Sequence, residues 1–305
     1  MMRRSRPWRR LIKPPRKRSA LAKARAPGLI TAMQEFAQFW PLAAALAGAG
    51  VFAGLVAGLF GVGGGVVIVP ALFYALNALG FTEAAMHVAV ATSLATIIAT
   101  SLRSAAAHHK RGAVDLAVLK AWSPWIVLGA VVGAALAGFA PGRALTGLFG
   151  VMAIAVAAQL AFGNPNWRIA AELPHGAARA GLGGMMGVLS ALMGIGGGTF
   201  GVLLMTLCGR TIHQAVGTAA GFGVAIGAPA ALGFVLTGLD APGRPPGSLG
   251  YVSGPGFVLI ASLTTVVAPW GARLAHALPQ TALRRLFALG LTGAALSMIF
   301  SALQG

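Results

Sequence analysis

The sequence has few acidic side chains and almost no cysteine. Its 305 residues include five carboxylates and one cysteine. A single cysteine, Cys208, excludes an internal disulfide and any metal site built from several thiolates. So few acids also argue against an enzyme, because a membrane enzyme needs a nucleophile with its base, or paired carboxylates, around one cavity. The five acids are Glu35, Glu83, Asp115, Glu172 and Asp240.

Charge of either sign is scarce. Only 9% of the residues are charged, whereas a soluble domain has about 25%. By contrast, 57% are hydrophobic and the mean hydropathy is +0.81. A chain of this composition cannot cover a surface that faces water, so most of its exterior must face lipid. We therefore expect a multi-pass protein of the cell (inner) membrane, with the lipid bilayer as a partner.

The positive charge is concentrated at the N-terminus. Residues 1–28 hold eleven of the 23 Lys and Arg residues, four prolines and no acid, which predicts a disordered basic arm. A net charge of +18 would suggest nucleic acid in a soluble protein, but this uneven distribution in a membrane protein predicts no nucleic-acid partner. Met33, directly before the first apolar segment, is an alternative start that would remove the arm.

Beyond residue 42 the chain is almost continuously apolar, and breaks at glycine, proline and scattered charges divide it into ten candidate helices. Several reach the roughly 20 residues that cross a bilayer. Those starting near residues 64 and 197 are short, and each begins at a glycine cluster. The predicted helices are 42–60, 64–78, 84–105, 116–138, 144–162, 177–194, 197–208, 213–237, 254–274 and 282–302.

The two halves of this apolar region resemble each other. The first glycine-rich segment, LFGVGGG, matches the second, LMGIGGG, at five of seven positions. A Val-Ala-Thr stretch matches Val-Gly-Thr, and an Ala-Leu-x-x-Leu-Phe stretch recurs later in each half. The same order of matches indicates a duplication, with repeats at 42–162 and 177–302. The matched pairs are 59–65 with 192–198, 90–92 with 216–218, and 144–149 with 282–287.

Each repeat has an odd number of helices, so the second must enter the membrane with the opposite orientation. The predicted fold class is an all-α polytopic membrane protein, with about ten helices as two inverted five-helix repeats and short or broken helices at Gly-rich turns. The loops that follow an odd number of helices lie on one side of the membrane, and with Lys120 beside them they carry ten cations. Apart from the arm, the opposite side carries only Arg143 and Arg244. This bias places the first side in the cytoplasm, although the basic arm contradicts it.

The glycine triplets are the leading candidates for substrate binding. Backbone N–H groups at a helix start have no partner within the helix, and the helix dipole adds partial positive charge there. Glycines leave those groups uncovered, so two such turns meeting at mid-membrane would bind an anion without a charged side chain. Close helix packing is the alternative role. The residues are Gly63, Gly64, Gly65, Gly196, Gly197 and Gly198.

Polar residues near these turns are further candidates. Hydroxyls can donate to an oxyanion, although they bond the carbonyl of the preceding helical turn at least as often. A histidine can carry a proton or a positive charge beside the anion, although it is more often an interfacial residue. These candidates are Thr92, Ser93, Thr218, Asn77, His87 and His213. The segment 108–111 is interpreted as a solvated loop.

Taken together, the motifs resemble the sulfite exporter TauE/SafE family. Each half has a Gly-rich turn, then a Val-x-Thr helix, then a Gly-x-Val stretch, at 112–114 and 250–252. The resemblance covers about residues 42–302 and implies a transporter of sulfite, organosulfonates or related small sulfur-containing anions, with export as the expected direction. The family commonly has Gly-Thr where this chain has Ala91-Thr92, which leaves the contribution of the first half less defined.

Other interpretations remain. A permease for another small solute, either a neutral metabolite or a different anion, stays open. Divalent-metal transport would need clustered Asp, Glu, His or Cys, and the sequence has no such cluster. Neither a metal site nor a cofactor is predicted, and a homodimer is left open.

Overall fold

The computed structural model describes residues 43–58, 64–163, 167–274 and 280–304. By backbone proximity the chain separates into residues 1–44 and 45–305, and the helical fold is that of the second unit. The predicted basic arm, the alternative start at Met33 and Gly63 of the first glycine triplet lie outside the described residues.

The described residues form ten helices. Each overlaps one predicted helix, with ends that differ by four residues at most, because glycine, proline and charge interrupt the apolar sequence where the helices end. The helices are α1 Ala43–Gly58, α2 Gly65–Ala78, α3 Ala85–His109, α4 Leu116–Phe139, α5 Gly142–Phe162, α6 Gly176–Met193, α7 Gly198–Leu207, α8 Ile212–Thr237, α9 Gly254–Leu274 and α10 Gln280–Gln304.

Six of these helices contain a segment long and apolar enough to cross a bilayer, namely α3, α4, α5, α8, α9 and α10. The helices predicted to be short, α2 and α7, have 14 and 10 residues and begin directly at glycine. Helices with this length and hydropathy make the chain an all-α polytopic membrane protein, as the sequence predicts.

One element was not predicted. Strands β1 (Ser248–Leu249) and β2 (Val252–Ser253) form an antiparallel hairpin between α8 and α9. Two-residue strands are too short to produce a recognisable alternation of polar and apolar residues. The hairpin brings Tyr251, at its turn, against the helices.

Equivalent glycines allow close helix crossing in the two halves. Between α4 and α6, a side chain at Gly187 would collide with the backbone of Ile126. Between α9 and α1, a side chain at Gly54 would lie 3.0 Å from Thr264 Cα. Gly54 and Gly187 occupy matching places in the two glycine-preceding helices, so the two crossings correspond when the halves are exchanged. Small residues of this kind let membrane helices approach each other.

Other helix contacts follow the same exchange. Helix α3 packs against its counterpart α8, and α5 packs against its counterpart α10. The contact of α2 with α3 corresponds to that of α7 with α8, and the contact of α4 with α8 corresponds to that of α9 with α3. The most buried apolar span is in α3, so the centre of the protein is the α3–α8 interface with α2 and α7 beside it.

Candidate functional site

The described part of the first glycine turn is buried and conformationally specialised. Gly64 has φ +77° and caps α2, which begins at Gly65. A left-handed φ is strained for residues with a side chain. A Cβ at Gly64 would also lie 3.0 Å from the Ala53 carbonyl oxygen. Both the conformation and the close neighbour require glycine at this position.

The two glycine turns touch each other. A side chain at Gly65 would collide with the carbonyl oxygen of Gly194 and would lie 3.0 Å from Ile195 Cα. Ser93, from α3, donates its hydroxyl to the same Gly194 carbonyl at 2.7 Å. The sequence-predicted Ser93 therefore lies at the meeting point of the turns, with its hydroxyl hydrogen already engaged.

The second glycine turn is also buried. Gly194 ends α6 with φ +67°, and Gly196, Gly197 and Gly198 are all buried. A Cβ at Gly197 would press on Phe222 and lie 3.0 Å from the Gly223 nitrogen. Gly64, Gly65 and Gly197 thus serve close packing, and the role of the two triplets in anion binding stays a prediction.

Two buried hydroxyls flank the second turn. Ser190 Oγ in α6 and Thr199 Oγ1 in α7 have no hydrogen-bond partner among the described residues. Most buried hydroxyls in proteins are paired. These two groups are therefore available to a bound solute or to water.

Thr92 and Thr218 each make a hydrogen bond to the backbone of the opposite half. Thr92 Oγ1 accepts from the Ser253 N–H at 2.9 Å, and Thr218 Oγ1 accepts from the Asp115 N–H at 2.9 Å. Each threonine is fully buried and holds the segment that precedes a helix of the other half. The two hydroxyls accept from the backbone here, and their predicted contact with substrate remains untested.

The remaining predicted residues lie in separate places. Asn77 donates from Nδ2 to the Phe73 carbonyl within α2 at 2.8 Å. His87, near the start of α3, is 7% exposed. Its counterpart His213 is exposed near the start of α8 and is electrostatically coupled to His108. Neither histidine adjoins the meeting point of the glycine turns in the contacts described for it, and a binding role for the three residues stays a prediction.

A cavity of about 400 Å³ opens between the halves at one end of the α3–α8 interface. The last half of α3, the end of α1, part of α9 and Ala220 of α8 line it. Three cationic side chains and one histidine line it, namely Arg103, Lys110, Arg111 and His108. No carboxylate is among the described residues of the lining. Thr100, Ser101, Ser104 and Thr265 add hydroxyls.

The cavity wall contains the end of the helix that precedes the first glycine-rich segment, and it connects to the second glycine turn. Ala57 and Gly58, in its wall, are the last residues of α1 before the first glycine-rich segment. On the other side, Ser101 lines the cavity and contacts Gly223, which in turn lies against Gly197. Ser101 and Gly223 thus connect the cavity to Gly197 of the second turn.

The electrostatics of the cavity favour anions. The four carboxylates of the described chain all lie outside the helices. The acid nearest in sequence, Asp115, caps α4 by accepting from the Val118 N–H and lies 3.6 Å from Arg210 Nη1. Because Arg210 neutralises Asp115, this carboxylate does not cancel the positive electrostatic potential that the lining cations produce in the cavity.

Sequence reasoning missed this cavity lining. Helix α3 runs to His109, four residues beyond its predicted end, so His108 is a helical residue and 108–111 is not simply a solvated loop. Arg103 sits within a long apolar helix, and a cation there indicates a water-filled cavity or functional pathway. The position of Arg103 within an apolar segment is visible in the sequence, where the same residue contributes to the charge bias between the two sides of the membrane.

Comparisons with known proteins support a transport role. The family model described as sulfite exporter TauE/SafE matches residues 46–298. A protein of Haemophilus influenzae described as a probable membrane transporter protein is 32% identical over 252 residues, which cover 82% of this chain and 95% of that protein. No solved structure matches the chain significantly.

Proposed function

We propose, from the premise that the chain belongs to the sulfite exporter TauE/SafE family of membrane transporters, that it exports small sulfur-containing anions such as sulfite or an organosulfonate. The proposed location is the cell (inner) membrane. A homodimer stays a prediction.

The basic cavity is the observation that carries the anion assignment. Arg103, Lys110 and Arg111 line it without an opposing carboxylate among the described lining residues. Cations around a concave, low-dielectric surface concentrate anions and speed their capture. A neutral metabolite gains nothing from these charges, so an anion is favoured over the neutral-solute alternative.

Hydroxyls and main-chain groups suit the oxygen atoms of a sulfur oxyanion. Ser104 lies in the lining beside the cations, and Ser190 and Thr199 supply unpartnered hydroxyls near the second turn. In the proposed path the anion passes from the cavity to the glycine turns, where N–H groups at helix starts stabilise its charge. Tight contact between Gly65 and Gly194 means that the turns must separate slightly to admit it.

The direction follows from the side on which the cavity opens. Lys110 and Arg111 belong to the α3–α4 loop, one of the loops that carry the excess of cations. Such loops face the cytoplasm. An anion is therefore captured from the cytoplasm and released outside.

The test is transport by purified protein in proteoliposomes loaded with labelled sulfite. Unlabelled sulfite, sulfoacetate, thiosulfate, sulfate and chloride are offered outside in turn, and the sulfur-containing anions are expected to exchange or compete most strongly. Arg103→Ala should lower the initial rate about tenfold, as expected for steering in a charged cavity.

Lys120→Ala is the matched control. Lys120 is an exposed cation on α4 that does not line the cavity, so its removal should leave the rate within about twofold. Indifference to every anion in the panel would refute the proposed function. Equal rates for Arg103→Ala and Lys120→Ala would refute the role of the cavity.

A further inference from the structure

We propose that His87, Phe234 and Tyr251 form a closed gate at the end of the α3–α8 interface opposite the cavity, and that its opening releases the anion on the far side. These three residues are called the aromatic gate. The proposal rests on the transport function proposed above and adds the residues that close the second access route.

The aromatic gate is a compact stack from three elements. The rings of His87 (α3) and Tyr251 (the β1–β2 turn) are stacked, with centroids 4.8 Å apart and planes at 22°. Phe234 (α8) meets Tyr251 edge-on, with centroids 6.3 Å apart. None of the three is more than 9% exposed. The stack therefore fills the space between the halves at this end.

The stack is also anchored to α4. His87 Nε2 lies 3.1 Å from the carbonyl oxygens of both Ala137 and Ala140, at the end of that helix, so an Nε2–H can donate to either. Burial raises the pKa of the Tyr251 phenol, which keeps its hydroxyl neutral. A closed gate therefore joins α3, α4, α8 and the hairpin through contacts that need no net charge.

The corresponding positions at the other end do not carry the same three residues. Counted from Thr92 and Thr218, His87 corresponds to His213 and Phe234 to His108. Tyr251 corresponds to Ala113, the middle residue of the other Gly-x-Val stretch. His108 lines the cavity, His213 is exposed, and Ala113 offers only a methyl group. One end has an aromatic stack and the other has a cavity.

A transporter with one open end must open the other to release its substrate. Separating the stacked rings and the His87 Nε2–H from its carbonyl partners breaks no covalent bond, so the gate is able to open reversibly. If opening one end accompanies closing the other, weakening the gate must also reduce access to the cavity. This distant effect separates a gate from a stack that only supports the local fold.

The experiment uses one reporter cysteine at each end, in a Cys208→Ala background that removes the natural cysteine. Ser104→Cys, the cavity reporter, replaces a residue that lines the cavity. Ser253→Cys, the gate reporter, lies two residues from Tyr251 and replaces a side chain that is 7% exposed. A membrane-impermeant maleimide is applied to right-side-out and inside-out vesicles, and the labelling rate of each reporter is measured with the gate intact, with Tyr251→Ala and with Tyr251→Phe.

With the gate intact, the cavity reporter should react quickly from the cavity side and the gate reporter slowly from either side. Tyr251→Ala should speed labelling of the gate reporter from the far side about fivefold and slow labelling of the cavity reporter about threefold, because the open-gate population grows. Tyr251→Phe keeps the ring and should change neither rate beyond about twofold. Phe234→Leu, which removes only the edge contact, is the second variant if Tyr251→Ala fails to insert.

Faster labelling of the gate reporter with an unchanged rate at the cavity reporter would mean local loosening and would overturn the gate, as would no change at either reporter. Labelling does not depend on the identity of the solute. Failure of sulfite transport with the expected labelling would therefore refute the proposed substrate alone, whereas normal sulfite transport with unresponsive reporters would refute the gate alone.

Discussion

The two ends of the α3–α8 interface are built from corresponding residues, yet they differ in accessibility. At one end His87, Phe234 and Tyr251 pack into a stack. At the other, His108, the counterpart of Phe234, lines a cavity together with Arg103. The backbone contacts still follow the exchange of the halves, from the glycine crossings to the threonine hydrogen bonds. A few side chains thus make one end packed and the other accessible, although the backbone contacts at the two ends correspond.

Charge differs in the same way as packing. Arg103 occupies the place in α3 that Pro229 occupies in α8, counted from the matched threonines. Two ends with matching backbone contacts supply two potential access routes, and their different side chains give one end the cations of the cavity and the other a stack of rings. Four predictions break or sharpen this contrast, and each has a measurable outcome.

The largest effect is expected from filling the contact that both ends share. In Gly65→Val the new side chain meets the Gly194 carbonyl oxygen and Ile195 Cα, which belong to backbone and cannot turn aside. Overpacking of this kind costs about 1–3 kcal/mol or more, so transport should be lost and the Tm in detergent should fall.

Gly181→Ala is the control for this substitution. Gly181 lies in α6, and a Cβ there meets nothing within 4 Å. Replacing it should leave transport intact and raise stability by about 0.5–1 kcal/mol. Native flux and Tm in Gly65→Val would contradict the contact between the turns.

The next effect comes from making the two ends alike. The double variant His108→Phe with Ala113→Tyr places the residues of the aromatic gate at the cavity end. Each aromatic contact contributes about 0.5–1.5 kcal/mol, so the cavity should close in about nine molecules of ten, and sulfite uptake from the cavity side should fall accordingly. Labelling of the cavity reporter, Ser104→Cys, is the direct measurement.

His108→Phe alone tests whether both rings are needed, since one ring has no partner to stack on and should leave labelling within about twofold. If the double variant labels at the unmodified rate, residue identity at these positions does not determine which end is open.

Much of the fold was predictable because a membrane helix is a long apolar stretch that can be recognised from residue composition alone. Apolar stretches end at glycine, proline or charge, and all ten helices appeared at their predicted places among the described residues. The duplicated glycine turns identified the centre as well, since Gly65 does meet Gly194. These features are local in the sequence or repeated within it.

The partners of individual side chains were not predictable. Thr92 accepts from Ser253, 161 residues away, rather than bonding the preceding turn of its own helix. Tyr251 reaches His87 only because a two-residue hairpin forms between α8 and α9. The cavity depends on α1, α3 and α9 converging, and convergence of distant helices leaves no local pattern.

A smaller effect is expected from salt. Screening shortens the reach of charges from about 30 Å at 0.01 M to about 10 Å at 0.1 M ionic strength. The apparent KM for sulfite entering from the cavity side should therefore rise about threefold to tenfold across that range with an inert organic salt, and Arg103→Ala should flatten the dependence. Uptake from the far side, where Pro229 takes the place of Arg103, should respond less. An identical salt response from both sides would contradict the electrostatic contrast.

The smallest effect is expected from the threonine hydrogen bonds, and it should differ between the ends. Thr92→Val leaves the Ser253 N–H buried and unpaired, which costs about 1–3 kcal/mol. Thr218→Val frees the Asp115 N–H, which is only partly buried beside the open end. Water can replace that partner, so the cost should be nearer 0.5–1 kcal/mol, at about the net value of one hydrogen bond.

Thr206→Val is the control, because its hydroxyl only donates to carbonyls of its own helix. Unfolding free energies in detergent should rank Thr92→Val as most destabilised, then Thr218→Val, then Thr206→Val. Equal losses of unfolding free energy for Thr92→Val and Thr218→Val would mean that water reaches both ends alike. That result would contradict the exclusion of water from the closed end.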